Sequence, residues 1–138
     1  MTFGDIPPSG PPLRARICVL EDDREMATVV REALAADGHT VLSLAHGTVA
    51  VADILARQAA SWEVPDLIVT DIRLPGYSGI QILETLRRSG CAIPAIVMSG
   101  FTSVELRARA DELGIVAVFE KPFDMDDLRA AVRAHLRA

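Results

Sequence analysis

Five short apolar runs, each followed by a segment with helical periodicity, constrain this chain more than any other feature. The runs are Arg16–Leu20, Thr40–Leu44, Leu67–Thr70, Ala95–Met98 and Val116–Phe119. Most are apolar at successive rather than alternate positions, which predicts strands buried on both faces, the habit of a parallel sheet. Between them, Met26, Val29, Val30, Ala33 and Leu34 form one helical stripe, with Gly38 placed to end it. Ala52, Leu55, Ala56 and Ala59 form a second, and Ile82, Leu83 and Leu86 a third. Ser78 with Gln81 three residues on predicts a capping box for that third helix. A fourth helix is expected after Ser103 (Val104, Ala108, Leu113), and a fifth from an Asp124 cap through Leu128, Val132 and Leu136. Five βα units imply an α/β domain with right-handed crossovers.

At 138 residues the chain has room for one such domain. Residues 1–14 carry Pro7, Pro8, Pro11 and Pro12 among glycines, which predicts a flexible tail ahead of a domain at 15–138. Nineteen acidic residues against fourteen basic ones give a net charge of −5, which argues against a general nucleic-acid binder. No apolar run approaches the roughly 20 residues that cross a bilayer, so no membrane partner is expected. Met1 to Pro12 shows no basic stretch leading into an apolar one, and Cys18 and Cys91 read as reduced thiols, so a cytoplasmic setting is expected.

Ligands of an open parallel sheet bind beyond the carboxyl ends of its strands. The residues there are Glu21, Asp22 and Asp23 after the first run, Asp71 after the third, Ser99 and Gly100 after the fourth, and Glu120, Lys121 and Pro122 after the fifth. Two carboxylates about 4 Å apart repel by about 4 kcal/mol at an effective dielectric near 20. Glu21 or Asp22 beside Asp71 would therefore need a cation, and Lys121 with a divalent metal would supply it. Oxygen-only ligands point to Mg²⁺. A carboxylate held beside Mg²⁺ and lysine can attack phosphorus and become an aspartyl-phosphate. Asp71 is the expected nucleophile, with Ser99 donating its hydroxyl to a phosphoryl oxygen.

With ICVLEDD (17–23), DLIVTDIRLPGYSG (66–79), IPAIVMSG (93–100) and VFEKPF (118–123), the chain resembles the receiver domain of two-component response regulators. Asp22 to Asp71 spans 49 residues, Asp71 to Ser99 28, and Ser99 to Lys121 22, all in family order. The resemblance implies a doubly wound, flavodoxin-like (βα)₅ sandwich with strand order 2-1-3-4-5. It implies Asp71 as the phosphorylation site, Ser99 as the switch hydroxyl and Lys121 as the partner of the phosphoryl group. It implies Mg²⁺ held by Asp22, Asp71 and the Arg73 backbone carbonyl, with Glu21 acting mainly through water, and a cis bond before Pro122. The donor would be a phosphohistidine on a histidine kinase or a histidine phosphotransfer protein. Output would be an altered contact with another protein, or with a second copy in a homodimer.

One position departs from the family pattern: Val118 stands three residues before the lysine, where a Tyr or Phe usually swings inward. Phe119 is one place further along and is expected on the opposite face of the strand. Three other readings stay open. A haloacid-dehalogenase type hydrolase would need a second Asp two residues after Asp71, where Arg73 stands. A degenerate receiver would act as a binding module without phosphorylation. A receiver cut from a larger hybrid kinase or regulator would show the same motifs.

Overall fold

The computed structural model describes residues 14–100 and 104–136. The predicted tail, except Arg14, therefore lies outside the described residues. Ten elements alternate strictly: β1 (Arg16–Leu20), α1 (Arg24–Ala36), β2 (Thr40–Leu44), α2 (Gly47–Ala60), β3 (Leu67–Asp71), α3 (Gly79–Arg88), β4 (Ala95–Ser99), α4 (Val104–Arg109), β5 (Ile115–Glu120) and α5 (Met125–Leu136). The strands form one parallel sheet in the order β2-β1-β3-β4-β5, as the resemblance implied.

Burial follows position in that order. Every residue of β3 and β4 is buried, and so is all of β1 after Arg16. The edge strands β2 and β5 are mostly half-exposed. Continuous apolar runs thus mark the strands covered by helices on both faces. One apolar layer sets Cys18, Leu20, Ile68 and Val97 against α2, α3 and Leu106 of α4. The other sets Val19, Val69, Ile96 and Met98 against α1 and α5.

Local signals account for the helix ends. Asp23 caps α1, its side chain accepting from the Glu25 and Met26 N–H groups, and Gly38 follows the helix at φ +93°. Ser78 and Gln81 form the reciprocal capping box of α3. Asp124 accepts from the Asp126 N–H at the start of α5.

Two predicted stripes are corrected. In α2 the buried residues are Gly47, Ala50, Val51 and Ile54, whereas Ala52, Ala56 and Ala59 face outward. Alanine covers too little apolar area to fix a helix's rotation, so the larger Val51 and Ile54 decide it. In α4 the buried residue is Leu106; Val104 is 84% exposed, and Leu113 lies past the helix end. Trp62, just ahead of β3, is largely exposed with the Arg57 guanidinium 5.4 Å from its ring centre. Cys18 and Cys91 are both free and buried, and burial pushes the Cys18 thiol up to about 12, which keeps it unreactive. Among the described residues, no helix is long and apolar enough to cross a membrane.

Candidate functional site

Strand register gathers the expected residues at one end of the sheet. Leu20 pairs with Thr70 and Thr70 with Val97, so Glu21 and Asp71 emerge from adjacent strands at one level. Ser99 pairs with Glu120, and the Lys121 N–H donates to the Ser99 carbonyl at 2.7 Å. β3 and β4 each run one residue further than predicted, so Asp71 and Ser99 are the last strand residues and inherit the sheet's rigidity.

The Lys121 ammonium sits between two acids, donating to Glu21 Oε1 at 2.7 Å and Asp71 Oδ2 at 2.7 Å. The Arg73 N–H donates to Asp71 Oδ1 at 3.2 Å. Oxygen atoms of Glu21, Asp22 and Asp71 lie within 4.8 Å of one another. Glu21 and Asp71 are buried, while Asp22 is exposed. The peptide bond between Lys121 and Pro122 is cis.

Beyond Asp71 the site opens into a cavity of about 580 Å³ bounded by Arg73, Ile80, Ser99, Leu106, Arg109 and Lys121. Leu106 and Arg109 on its far wall come from α4 and carried no motif. Arg109 pairs with Glu84 of α3 at 3.1 Å, which joins the two helices behind the cavity. Gly79, at the start of α3, also shapes the site. A Cβ at Gly79 would overlap the Asp71 carbonyl oxygen, so its absence lets α3 begin directly against the end of β3. Val118 packs into the apolar layer that contains α4, whereas Phe119 lies in the layer of α5, its ring centre 5.3 Å from that of Phe123 with the planes tilted by 48°. The structure thus sets no aromatic side chain from β5 against α4, because alternate strand residues face opposite layers.

Charge crowding decides the protonation of the acids. Burial pushes the Glu21 carboxyl up to about 7, with Asp71 adding to the rise and Lys121 opposing it. Burial also acts against the Asp71 charge, but hydrogen bonds from Lys121, Glu21 and the Arg73 amide outweigh it and hold Asp71 below the ordinary range. Glu21 Oε2 is buried and has no hydrogen-bond partner. An all-oxygen cluster with one orphaned carboxylate oxygen and one exposed acid fits a hard divalent cation that keeps some of its waters.

A pH dependence follows. A carboxyl raised on folding contributes stability that is full below its unfolded value and lost as the pH climbs through its folded one. In the metal-free protein Glu21's contribution therefore falls as pH rises from about 4.5 to about 7, and Glu21→Gln should make the change in melting temperature across that window more positive than in the wild type. Thermal melts of both proteins across this window check it; parallel wild-type and Glu21→Gln curves would contradict the assignment.

The chain matches the family "Response regulator receiver domain" over residues 17–133. It is 29% identical to sporulation initiation phosphotransferase F of Bacillus subtilis, over 90% of this chain and 95% of that protein. It is 32% identical to the response regulator MprA of Mycobacterium bovis over 91% of its length, and spans about half (52%) of that relative. Among solved structures it resembles the receiver domain of a LuxO repressor protein from Vibrio parahaemolyticus (TM-score 0.78, 24% identity, covering 90% and 91% of the two chains). A BeF₃-activated RstA receiver domain from Klebsiella pneumoniae gives TM-score 0.74 at 28% identity, covering 89% and 99%. Fold, strand order and family match agree, and the chain belongs to the response regulator receiver domain family of two-component phosphorelay signalling.

Proposed function

We propose that the chain accepts a phosphoryl group on Asp71 from a phosphohistidine, in a Mg²⁺-dependent step, and so switches a protein contact. The observation that carries this is the Lys121 ammonium shared between Glu21 and Asp71, with Glu21 Oε2 unpaired and Asp22 completing the acidic cluster. Glu21, Asp22, Asp71 and the Arg73 carbonyl would hold Mg²⁺. Bound there, the ion would offset the repulsion between these carboxylates and incoming phosphoryl oxygens.

Asp71 is held for attack on phosphorus. Its Oδ1 rests on the Arg73 amide and its Oδ2 on Lys121, and its depressed basicity keeps it ionised. A carboxylate oxygen forms the P–O bond as the P–N bond to the donor imidazole breaks; the imidazole nitrogen keeps the electron pair and takes a proton from water. Lys121 can then pivot from the carboxylates to a phosphoryl oxygen, and the buried Ser99 hydroxyl donates to another. The chain assists its own phosphorylation and dephosphorylation and is a signalling domain, with residues 15–138 as the receiver unit.

The added phosphoryl group brings close to two negative charges. Ser99 ends β4 and Lys121 follows β5, so their shift toward that charge biases the face made by α4, β5 and α5. With Val118 in place of a ring, α4 is the element left to report the change. A histidine kinase or histidine phosphotransfer protein would be the donor, and an output protein or second copy the reader, in a cytoplasmic setting.

Incubation with acetyl phosphate followed by intact-mass measurement tests the reading. One phosphoryl group should appear with Mg²⁺ and none when the metal is chelated. No gain under either condition, or equal gain under both, would overturn it.

A further inference from the structure

We propose that Gly47, the first residue of α2, is a positioning residue for phosphoryl acceptance: it holds the 72–78 loop so that the Arg73 amide stays on Asp71. The inference rests on the reading of Asp71 as the acceptor.

The N-terminus of α2 has no side-chain cap. His46 occupies the cap position in extended conformation and makes no cap hydrogen bond. The exposed donors of a helix start need acceptors. Here the Gly47 N–H donates across to the Pro75 carbonyl at 2.9 Å, so the loop between β3 and α3 serves as the cap. That contact requires glycine. A Cβ at position 47 would overlap the Tyr77 carbonyl oxygen and lie 2.8 Å from its carbon and 2.9 Å from its nitrogen. Those are backbone atoms, so no side-chain rotation relieves the collision.

Something must then move, and α2 is the firmer partner. Ala50, Val51 and Ile54 fix it in the core, whereas Arg73, Pro75, Gly76 and Tyr77 of the loop are exposed. The loop's far end cannot yield either. Gly79 is wedged against the Asp71 carbonyl and its N–H donates to the Ile72 carbonyl at 2.8 Å. Displacement at Pro75 and Tyr77 is therefore passed back toward Ile72 and Arg73. The Arg73 hydrogen bond to Asp71 Oδ1 is 3.2 Å long, already at the far end of the useful range. A further shift of about 1 Å breaks it.

A reciprocal contact supports the same docking. Gly76 has φ +82°, and a Cβ there would meet His46 Cε1 at 2.5 Å and Thr48 Oγ1 at 2.6 Å. Each of the two loops thus presents a glycine to the other. The lever is remote from the chemistry and acts only through geometry, for which misplacement by about 1 Å can cost about a hundredfold in rate.

The test compares Gly47→Ala with Val51→Ala, which removes buried volume from the same helix without adding an atom against the loop backbone. The readouts are hydrogen exchange at the Arg73 amide in metal-free protein, the Mg²⁺ titration of its NMR signal, and the rate of labelling by acetyl phosphate with Mg²⁺. Gly47→Ala should speed Arg73 exchange about tenfold, weaken Mg²⁺ binding, and slow labelling by about ten- to a hundredfold. Val51→Ala should lower the melting temperature and leave the three readouts at wild-type values. Should Gly47→Ala fail to fold, Gly76→Ala decides the matter. The atoms it meets belong to side chains that can move, but φ +82° strains any alanine there, so the loop should shift and give a change of the same sign. Folded variants with wild-type Arg73 exchange and labelling would overturn the proposal. So would a Val51→Ala protein that changes as much as Gly47→Ala. A wild-type chain that never labels would instead sink the acceptor reading, and Arg73 exchange would still report on the Gly47 contact.

Discussion

Asp71→Asn will gain no phosphoryl group from acetyl phosphate and Mg²⁺ under conditions that label the wild type. The amide keeps the shape of the carboxylate, so its oxygen can still accept from the Arg73 N–H, and the fold at the end of β3 is retained. What disappears is the anionic oxygen that attacks phosphorus. The substitution also takes from Lys121 one of its two ion-pair partners, and the contacts that hold Asp71 below the ordinary range are lost with the charge, so a modest fall in melting temperature is expected. Intact mass and a thermal melt on the same sample separate the two effects. Labelling of a folded Asp71→Asn protein would place the acceptor elsewhere. Asp22 and Glu21 would then be the next carboxylates to substitute, since both lie in the same cluster.

Lys121→Met carries the second large effect. Methionine keeps much of the lysine stem, so packing is nearly preserved, but Glu21 and Asp71 lose the cation that each holds at 2.7 Å. The carboxylates then face one another without an ammonium, and the pair will retain a proton to a higher pH. The phosphoryl oxygens also lose a preorganised charged donor. Removal of one such donor typically costs about 10²–10³-fold in rate, and labelling should slow by about that factor. Kinetics of acetyl-phosphate labelling at saturating Mg²⁺ check this. A Lys121→Met protein that labels within a few-fold of wild type would remove lysine from the mechanism.

Much of this architecture was legible before any coordinates, because the features concerned are local. Apolar runs covered on both faces mark buried strands, and β1, β3 and β4 were placed to within a residue. Asp23, Ser78 and Asp124 are short polar residues that satisfy helix N–H groups within their own turn, so sequence spacing alone locates them. The site was legible for a related reason. Parallel strands in register bring their ends together, so acids, hydroxyl and lysine that follow four runs must meet if those runs lie in one sheet.

The failures have a common cause as well. The rotation of α2 depends on what it packs against, and a helix of alanines with few large residues offers two nearly equivalent stripes. The short α4 hides the role of Leu106, because a single buried leucine sets up no period. Gly47 and Gly79 act through the atoms they lack, against backbone distant in sequence from Gly47 and eight residues before Gly79. No residue-type pattern announces such a contact; it is visible only when both surfaces are in place.

The five-stranded sheet also works as a partition. Side chains on its two faces form separate apolar layers, one with α2, α3 and α4 and the other with α1 and α5. Close-packed interiors transmit displacement only where side chains touch. A rearrangement of α4 around Leu106 therefore begins on one side of the sheet and reaches α1 through α5, whose Arg129 pairs with Asp37 at the end of α1. The Asp37–Arg129 pair is thus a bridge by which one half of the molecule can learn what has happened in the other.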